Sequence, residues 1–507
     1  MKLVIVESPA KAKTIGKYLG EDYKVDASGG HIRDLPTKKM GVDIKNNYRP
    51  EYEVSPTKKD TIARLKEEVK KADEVFLATD PDREGEAISW HLQTVLKLKA
   101  NQKNRITFNE ISKKAVQKAI LNPGYIDMNL VNAQQARRVL DRLVGYTLSP
   151  VLCKKIQGKL SAGRVQSSAL KIMVDREREI NSFVPKEFWN ITALVEKPKF
   201  EPSFKILLTE KDGKKWVVGN KQQSEEALSA IEGKEYIVDN VKLSVTRSNP
   251  LPPFTTSTMQ QDGVNKLRMT SAVVMSTAQQ LYEGVEIKGM GHVALVTYIR
   301  TDSVRISDDA SREARELITN RYGAKYVPAT PNKYFSKKGA QDAHEAIRPI
   351  NLSLSPDSIK GLVDTKQYNL YKLIYERFLA SQCVSAEYNS VAIKVKCGQY
   401  GFKANGRTVL FDGYTAIYGE GKSDEDDNEK LPKLIEGDKL NLLKLDSEQK
   451  FTKPVSRYTE SSLIKAMEDN GIGRPSTFAT ILSTLYKREY VTKDGKNLIP
   501  SELGITV

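Results

Sequence analysis

Tyr298 and Arg300 stand two residues apart in the run VTYIRTDS, residues 296–303. Its β-branched character predicts a strand, and a strand would send both side chains out by one face. A phenol, with a pKa of about 10, is a poor nucleophile at neutral pH unless positive charge stabilises its phenolate. Arg300 is placed to supply that charge and equally to grip a phosphate with two parallel N–H donors. Attack of the phenol on a phosphodiester would give an aryl ester that keeps much of the bond's free energy, so such a break can be resealed without ATP. A tyrosine packed in a sheet with an arginine on the rim satisfies the same spacing.

A second cluster is carboxylic. Asp80, Asp82, Glu84 and Glu86 crowd the stretch DPDREGE, directly after the strand-like EVFLATD. Acids this close repel unless a cation holds them, which suits a magnesium site; an acidic first turn of a helix, favoured by the helix dipole, is the other solution. Glu7 closes the apolar run KLVIVE and leads into Ser8, Pro9 and Lys11 at a helix start. If strands 3–6 and 75–78 are neighbours in one parallel sheet, their carboxyl ends meet at the usual ligand crevice, and Glu7 joins the acidic cluster. Lys11 would there face phosphate as a point charge, although lysines near helix starts are ordinarily solvated. His31 follows two glycines in SGGHIRDLP, which let backbone approach a ligand closely. The loops KLSAGRVQS (159–167) and GIGRPSTFA (471–479) each set Gly-Arg and small hydroxyl residues before a helix. They read either as helix caps or as backbone clamps on phosphate.

Bulk properties favour the polyanion. Eighty Lys and Arg against 64 Asp and Glu give a formal charge of +16, which points to nucleic acid. No run of about 18 apolar residues exists, so a membrane span is not expected, and the chain reads as soluble and cytoplasmic. Three scattered cysteines and four scattered histidines supply neither a Cys-x-x-Cys clip nor a zincin pair, so zinc is not expected and any metal must be held by oxygen. The one approximation to a P-loop, GFKANGRT (401–408), has Arg in place of Lys and lies in a β-rich stretch; no ATP site is expected.

These residues need a frame of several domains, since 507 residues exceed what one core sustains. Residues 1–125 alternate strands and helices as an α/β unit. A helical part follows over 126–182 and resumes over 456–507. In NAQQARRVLDRLVGY, Ala136, Val139, Leu140 and Leu143 fall on one helical stripe, with Arg138 and Arg142 pointing away from it. Residues 183–250 and 386–455 are β-rich with turns such as KDGK and CGQYG, a sheet domain interrupted by a mostly helical insertion, 251–385, that carries Tyr298. The acidic run SDEDDNEK (423–430) reads as a solvated loop.

VESPAKAKTI, GHIRDLP, TDPDREGEAI, QQARRVLDR, LSAGRVQS, YIRTDS, AHEAIRP and GIGRPST, in that order along the chain, resemble the type IA DNA topoisomerases, and within them the bacterial topoisomerase I branch. The resemblance implies a Toprim fold for the first domain and a toroidal core whose interrupted β domain is an arch. It implies Tyr298 as nucleophile on the 5′-phosphate, with Arg300, Glu7, Lys11 and His344 as its catalytic partners. Glu7, Asp80, Asp82 and Glu84 become ligands of Mg2+. His31, Arg137, Arg138, Asp141, Ser161, Ala162, Gly163, Arg164, Val165, Gln166, Arg300 and Arg474 become DNA contacts. The implied activity is relaxation of negatively supercoiled DNA without ATP, by a monomer associated with the nucleoid. Relatives continue beyond the ELGITV segment, so a truncated core that grips or cuts single-stranded DNA without full relaxation is an alternative, as is a topoisomerase III-like decatenase. A Toprim nuclease or primase would use the acids alone and would not need Tyr298.

Overall fold

The computed structural model describes residues 1–156, 160–198, 202–336, 344–419 and 431–507. Lys159, the acidic run 423–430 and the residues just before His344 therefore lie outside the described residues.

The first domain is built on a three-stranded sheet in which Lys2–Val6 is central, with Tyr23–Ala27 and Glu74–Leu77 parallel to it on either side. Leu3 to Val6 are wholly buried, the mark of a strand covered on both faces. The helix Pro9–Leu19 starts where the sequence supplies a cap: the Ser8 side chain accepts from Lys11 N, and Pro9 occupies the first turn, where a missing N–H costs nothing. The helix Arg83–Val95 is capped by Asp82, whose side chain accepts from Gly85 N. Both helices leave from the carboxyl ends of strands, so Glu7 and Asp80 are delivered to one edge of the sheet.

Two helices follow, Met128–Ile156 and Arg164–Ser182. The stripe expected on the first is rotated. Ala136 and Leu140 are exposed, whereas Arg142 is buried with Val131, Gln134 and Val139. The reason is hydrogen bonding: Arg142 donates to the carbonyls of Leu35, Pro36 and Lys39, which the loop laid against the helix would otherwise leave unpaired. Arg138 grips Asp34 of the same loop through two bonds of 2.8 and 2.6 Å.

A second, wholly antiparallel sheet takes strands from two distant segments. Tyr236–Ser248 pairs with Ala386–Cys397 along its length, with Ser248 opposite Ala386. Glu187–Glu196 pairs with both Lys439–Phe451 and Phe204–Lys211, and the latter pairs with Tyr400–Phe411, so the order closes on itself. The stretch that resembled a P-loop is part of the strand Tyr400–Phe411. Residues 249–385 leave and return through neighbouring strands. Their helices Thr256–Leu267, Ser271–Glu283, Asp308–Tyr322 and Thr365–Ser381 share one core with the first domain, in which Val4, Val6 and Phe108 meet Leu281, Tyr282, Tyr298 and Ile299. Among the described residues, no helix is long and apolar enough to cross a membrane.

Candidate active site

VTYIRTDS is not a strand. Only Val296 makes an isolated bridge, to Pro349, and the rest is irregular. Instead of one ladder partner, three segments pin it: Thr297 N donates to Arg348 O, Tyr298 N to Asn109 O, and Thr256 N to Thr301 O. The Thr297 hydroxyl adds a bond to Ala346 O at 2.7 Å. Asn109 belongs to the first domain, so the main chain at Tyr298 is held directly by the half of the molecule that carries the acids.

Tyr298 and Arg300 nevertheless converge, and on a carboxylate. The Tyr298 hydroxyl donates to Asp82 Oδ2 at 2.6 Å, and Arg300 Nη1 lies 3.7 Å from the same oxygen. Tyr298 is 2% exposed, its ring set edge-on to Tyr282 and to His344, each with centroids 5.4 Å apart. Burial and the charges of Asp82 and Asp80 push the phenol well above its ordinary pKa, against the opposing effect of Arg300. Tyr298 here donates its hydrogen bond to Asp82, and Arg300 draws the phenol's pKa down against the larger effect of burial and the two acids. The His344 ring pairs through Nε2 with the Pro81 carbonyl at 2.8 Å.

Behind Asp82 lies a buried ion cluster. Lys11, with no exposed surface, donates to Glu7 Oε1 at 2.7 Å and to Asp80 Oδ1 at 2.8 Å. Burial and the neighbouring Asp80 charge push the Glu7 carboxyl up to about 8, against the pull of Lys11. Burial acts the same way on Asp80, yet Lys11, Glu7 and Arg300 outweigh it and hold that carboxyl down at about 2. The pair thus divides its ionisation, Asp80 charged and Glu7 inclined to keep a proton.

The donors suit a hard cation: Glu7 Oε2 is buried with no hydrogen-bond partner, and Asp80 and Asp82 line the same crevice. No three such side chains are already gathered around one point among the described residues. Lys11 and Tyr282 bond Asp80, Tyr298 bonds Asp82, and Glu84 turns to Gln134 at 3.0 Å and His31 at 3.4 Å. Burial would raise the Glu84 carboxyl, but His31 and Gln134 bring it down to about 2.

From Glu84 a groove continues toward the helical part, lined by Arg137, Asp141, Gly163, Arg164, Val165, Gln166, Arg300 and Ser476. It abuts a cavity bordered by Asp82, Arg83, Arg300, His344 and Arg474. Arg164 Nη2 lies 3.2 Å from Asp141, and Arg137 3.6 Å from Asp141 and 3.7 Å from Glu84. Ser161 is fixed at both its N–H and its carbonyl by the Tyr490 hydroxyl, and Ala162 N donates to Ser149. Arg474 is exposed. Arg138, also expected to contact DNA, is bonded to Asp34.

Three residues of the site carried no local signal. Arg105 is 3% exposed, pairs with Glu86 at 2.8 Å, and donates to the carbonyls of Thr79 and Asp80, so it fixes the main chain that aims the acids. Gly85 must lack a side chain, because a Cβ there would lie 2.2 Å from Asp80 O. Tyr282, near the end of the helix Ser271–Glu283, donates its hydroxyl to Asp80 Oδ1 at 3.0 Å, 202 residues away in sequence.

Residues 125–507 match the DNA topoisomerase family and residues 2–111 the Toprim domain. The fold is similar to that of full-length topoisomerase I from Thermotoga maritima, with a TM-score of 0.88 and 41% identity over 99% of this chain and 81% of that one.

Proposed function

The chain belongs to the bacterial type IA DNA topoisomerases, enzymes of the isomerase class, and on that premise we propose that it relaxes negatively supercoiled DNA without ATP by cutting one strand through Tyr298. The observation that carries this reading is the meeting of Tyr298 with Asp82, from positions 216 residues apart, in the crevice that also holds Lys11. A single strand would lie along the groove of Arg137, Arg164 and Gln166, its scissile phosphate brought to Arg300 and Lys11.

Cleavage then balances with groups at hand. The Tyr298 oxygen attacks phosphorus and its proton passes to a carboxylate, Asp82 being the one already bonded to it. The bond from phosphorus to the 3′ oxygen breaks, and Glu7, inclined to hold a proton at neutral pH, donates it to that leaving oxygen. The reverse steps reseal the strand. Arg300 and Lys11 offset the charge that builds on the phosphate, and His344 holds the Pro81 turn against the tyrosine ring. Mg2+ would be held by Glu7, Asp80, Asp82 and Glu84, supplying a further positive charge near the DNA phosphates. The DNA is the partner, the site is assembled within one chain so that a monomer suffices, and the cytoplasm is the compartment.

Plasmid relaxation with magnesium and no nucleotide tests the proposal. Tyr298→Phe should abolish it, a fall of more than a thousandfold, while binding of single-stranded DNA persists. Undiminished relaxation by that variant would favour a Toprim nuclease that uses only the acids.

A further inference from the structure

We propose that Tyr282 is a positioning residue that fastens the inserted domain onto the acidic half of the site by way of Asp80, and that its hydroxyl thereby sets how readily the cut strand is resealed. The proposal rests on the reading of Tyr298 as nucleophile. Tyr282 closes the helix Ser271–Glu283 of the insertion and has no exposed surface. Its hydroxyl donates to Asp80 Oδ1, the oxygen that also accepts from Lys11. The Lys11 ammonium lies 5.5 Å from its ring centre, and the edge of the ring meets Tyr298. One side chain of the inserted domain thus touches Tyr298, Lys11 and Asp80 at once.

The neighbouring residue makes the contact a fastening and not a chance approach. Thr14, one helical turn beyond Lys11, donates to the Glu283 carbonyl at 2.6 Å. A Cβ on Gly284 would lie 2.3 Å from the Thr14 hydroxyl, so the helix end sits against Pro9–Leu19 with no spare room. If the insertion swings away to pass a strand, the Tyr282–Asp80 bond must break, and resealing must remake it before Tyr298 and the 3′ hydroxyl end face each other. During resealing that hydroxyl gives its proton to Glu7 as its oxygen attacks phosphorus, the bond to the Tyr298 oxygen breaks, and the phenolate takes back the proton held by Asp82. A hydrogen bond to an ionised carboxylate biases closure roughly ten- to a hundredfold.

The test uses the whole chain and a preformed adduct on a single-stranded oligonucleotide, resealed by adding the 3′ hydroxyl strand. Tyr282→Phe keeps the ring and removes only the donor. Its resealing rate should fall about tenfold or more, with the thermal midpoint within a few degrees of the parent. Tyr371→Phe is the comparison: that buried hydroxyl bonds Leu354 O inside the insertion, and its loss should leave resealing unchanged. Should Tyr282→Phe not fold, Tyr282→Met fills the space without a donor and must slow resealing in the same direction. Resealing within twofold of the parent, or equal slowing by Tyr371→Phe, overturns the proposal. Failure of the parent to form any adduct would overturn the reading of Tyr298 instead, so the two failures are distinguishable.

Discussion

The two large sheets of this molecule treat charge in opposite ways. In the first domain, Lys11, Asp80, Glu86 and Arg105 are all buried beside or beyond the strand ends. Among the described residues of 187–248 and 386–451, which form the closed antiparallel sheet, no charged side chain is fully buried. Its ion pairs keep contact with solvent, from Lys439 and Glu235, 67% and 63% exposed, to Lys197 and Asp438, 20% and 15% exposed. Buried charges are costly unless paired, and perturbed groups gather where chemistry is done. The parallel sheet accepts that cost at the edge that bears the candidate site, whereas the closed sheet holds the insertion by its two ends.

The largest test of this contrast is Lys11→Met. It strands Asp80 and Glu7 without their cation, and should cost about 3 kcal/mol in denaturant unfolding as well as strand cleavage; a variant that unfolds with the parent would show the cluster to be wet. Next comes acid. The His91 Nδ1 accepts from Arg33 Nε at 2.9 Å, and burial, with the Arg33 and His31 charges, pushes the ring down to about 3. The unfolded chain protonates this ring below about pH 6.5 and the folded one does not, so stability is full above that value and falls as pH drops. By pH 5 the loss attributable to this ring is about 2 kcal/mol. His91→Gln keeps an acceptor for Arg33 and should remove that share of the acid slope; an unchanged slope between pH 6.5 and 5 would contradict the assignment. Smallest is Glu235→Ala in the closed sheet, expected to cost between zero and about 1 kcal/mol in thermal unfolding. A loss as large as that for Lys11→Met would erase the distinction between the sheets.

Much of this frame was legible because local chemistry agreed with it. Ser8-Pro9 wrote the start of a helix, the KDGK turn places Asp212 and Gly213 at positive φ as a tight hairpin requires, and the parallel neighbours 3–6 and 75–78 followed from two short apolar runs. The errors share one cause, long-range hydrogen bonding that overrides local pattern. VTYIRTDS has strand composition, but Asn109, Thr256 and Arg348 each claim part of its backbone. Arg142 turned inward because a loop a hundred residues earlier offered carbonyls. Arg105 and Tyr282 were invisible for the same reason, since their partners lie 25 and 202 residues away.

The central claim is that the acids of the first domain and the tyrosine of the insertion form one reacting site. Its most direct measurement is to denature a cleavage reaction on labelled single-stranded DNA, digest the trapped adduct and identify the peptide that carries nucleotide. The account predicts a 5′-phosphate esterified to Tyr298, with the adduct lost in Lys11→Met. An adduct on another residue, or strand cuts that leave no protein attached, would contradict it.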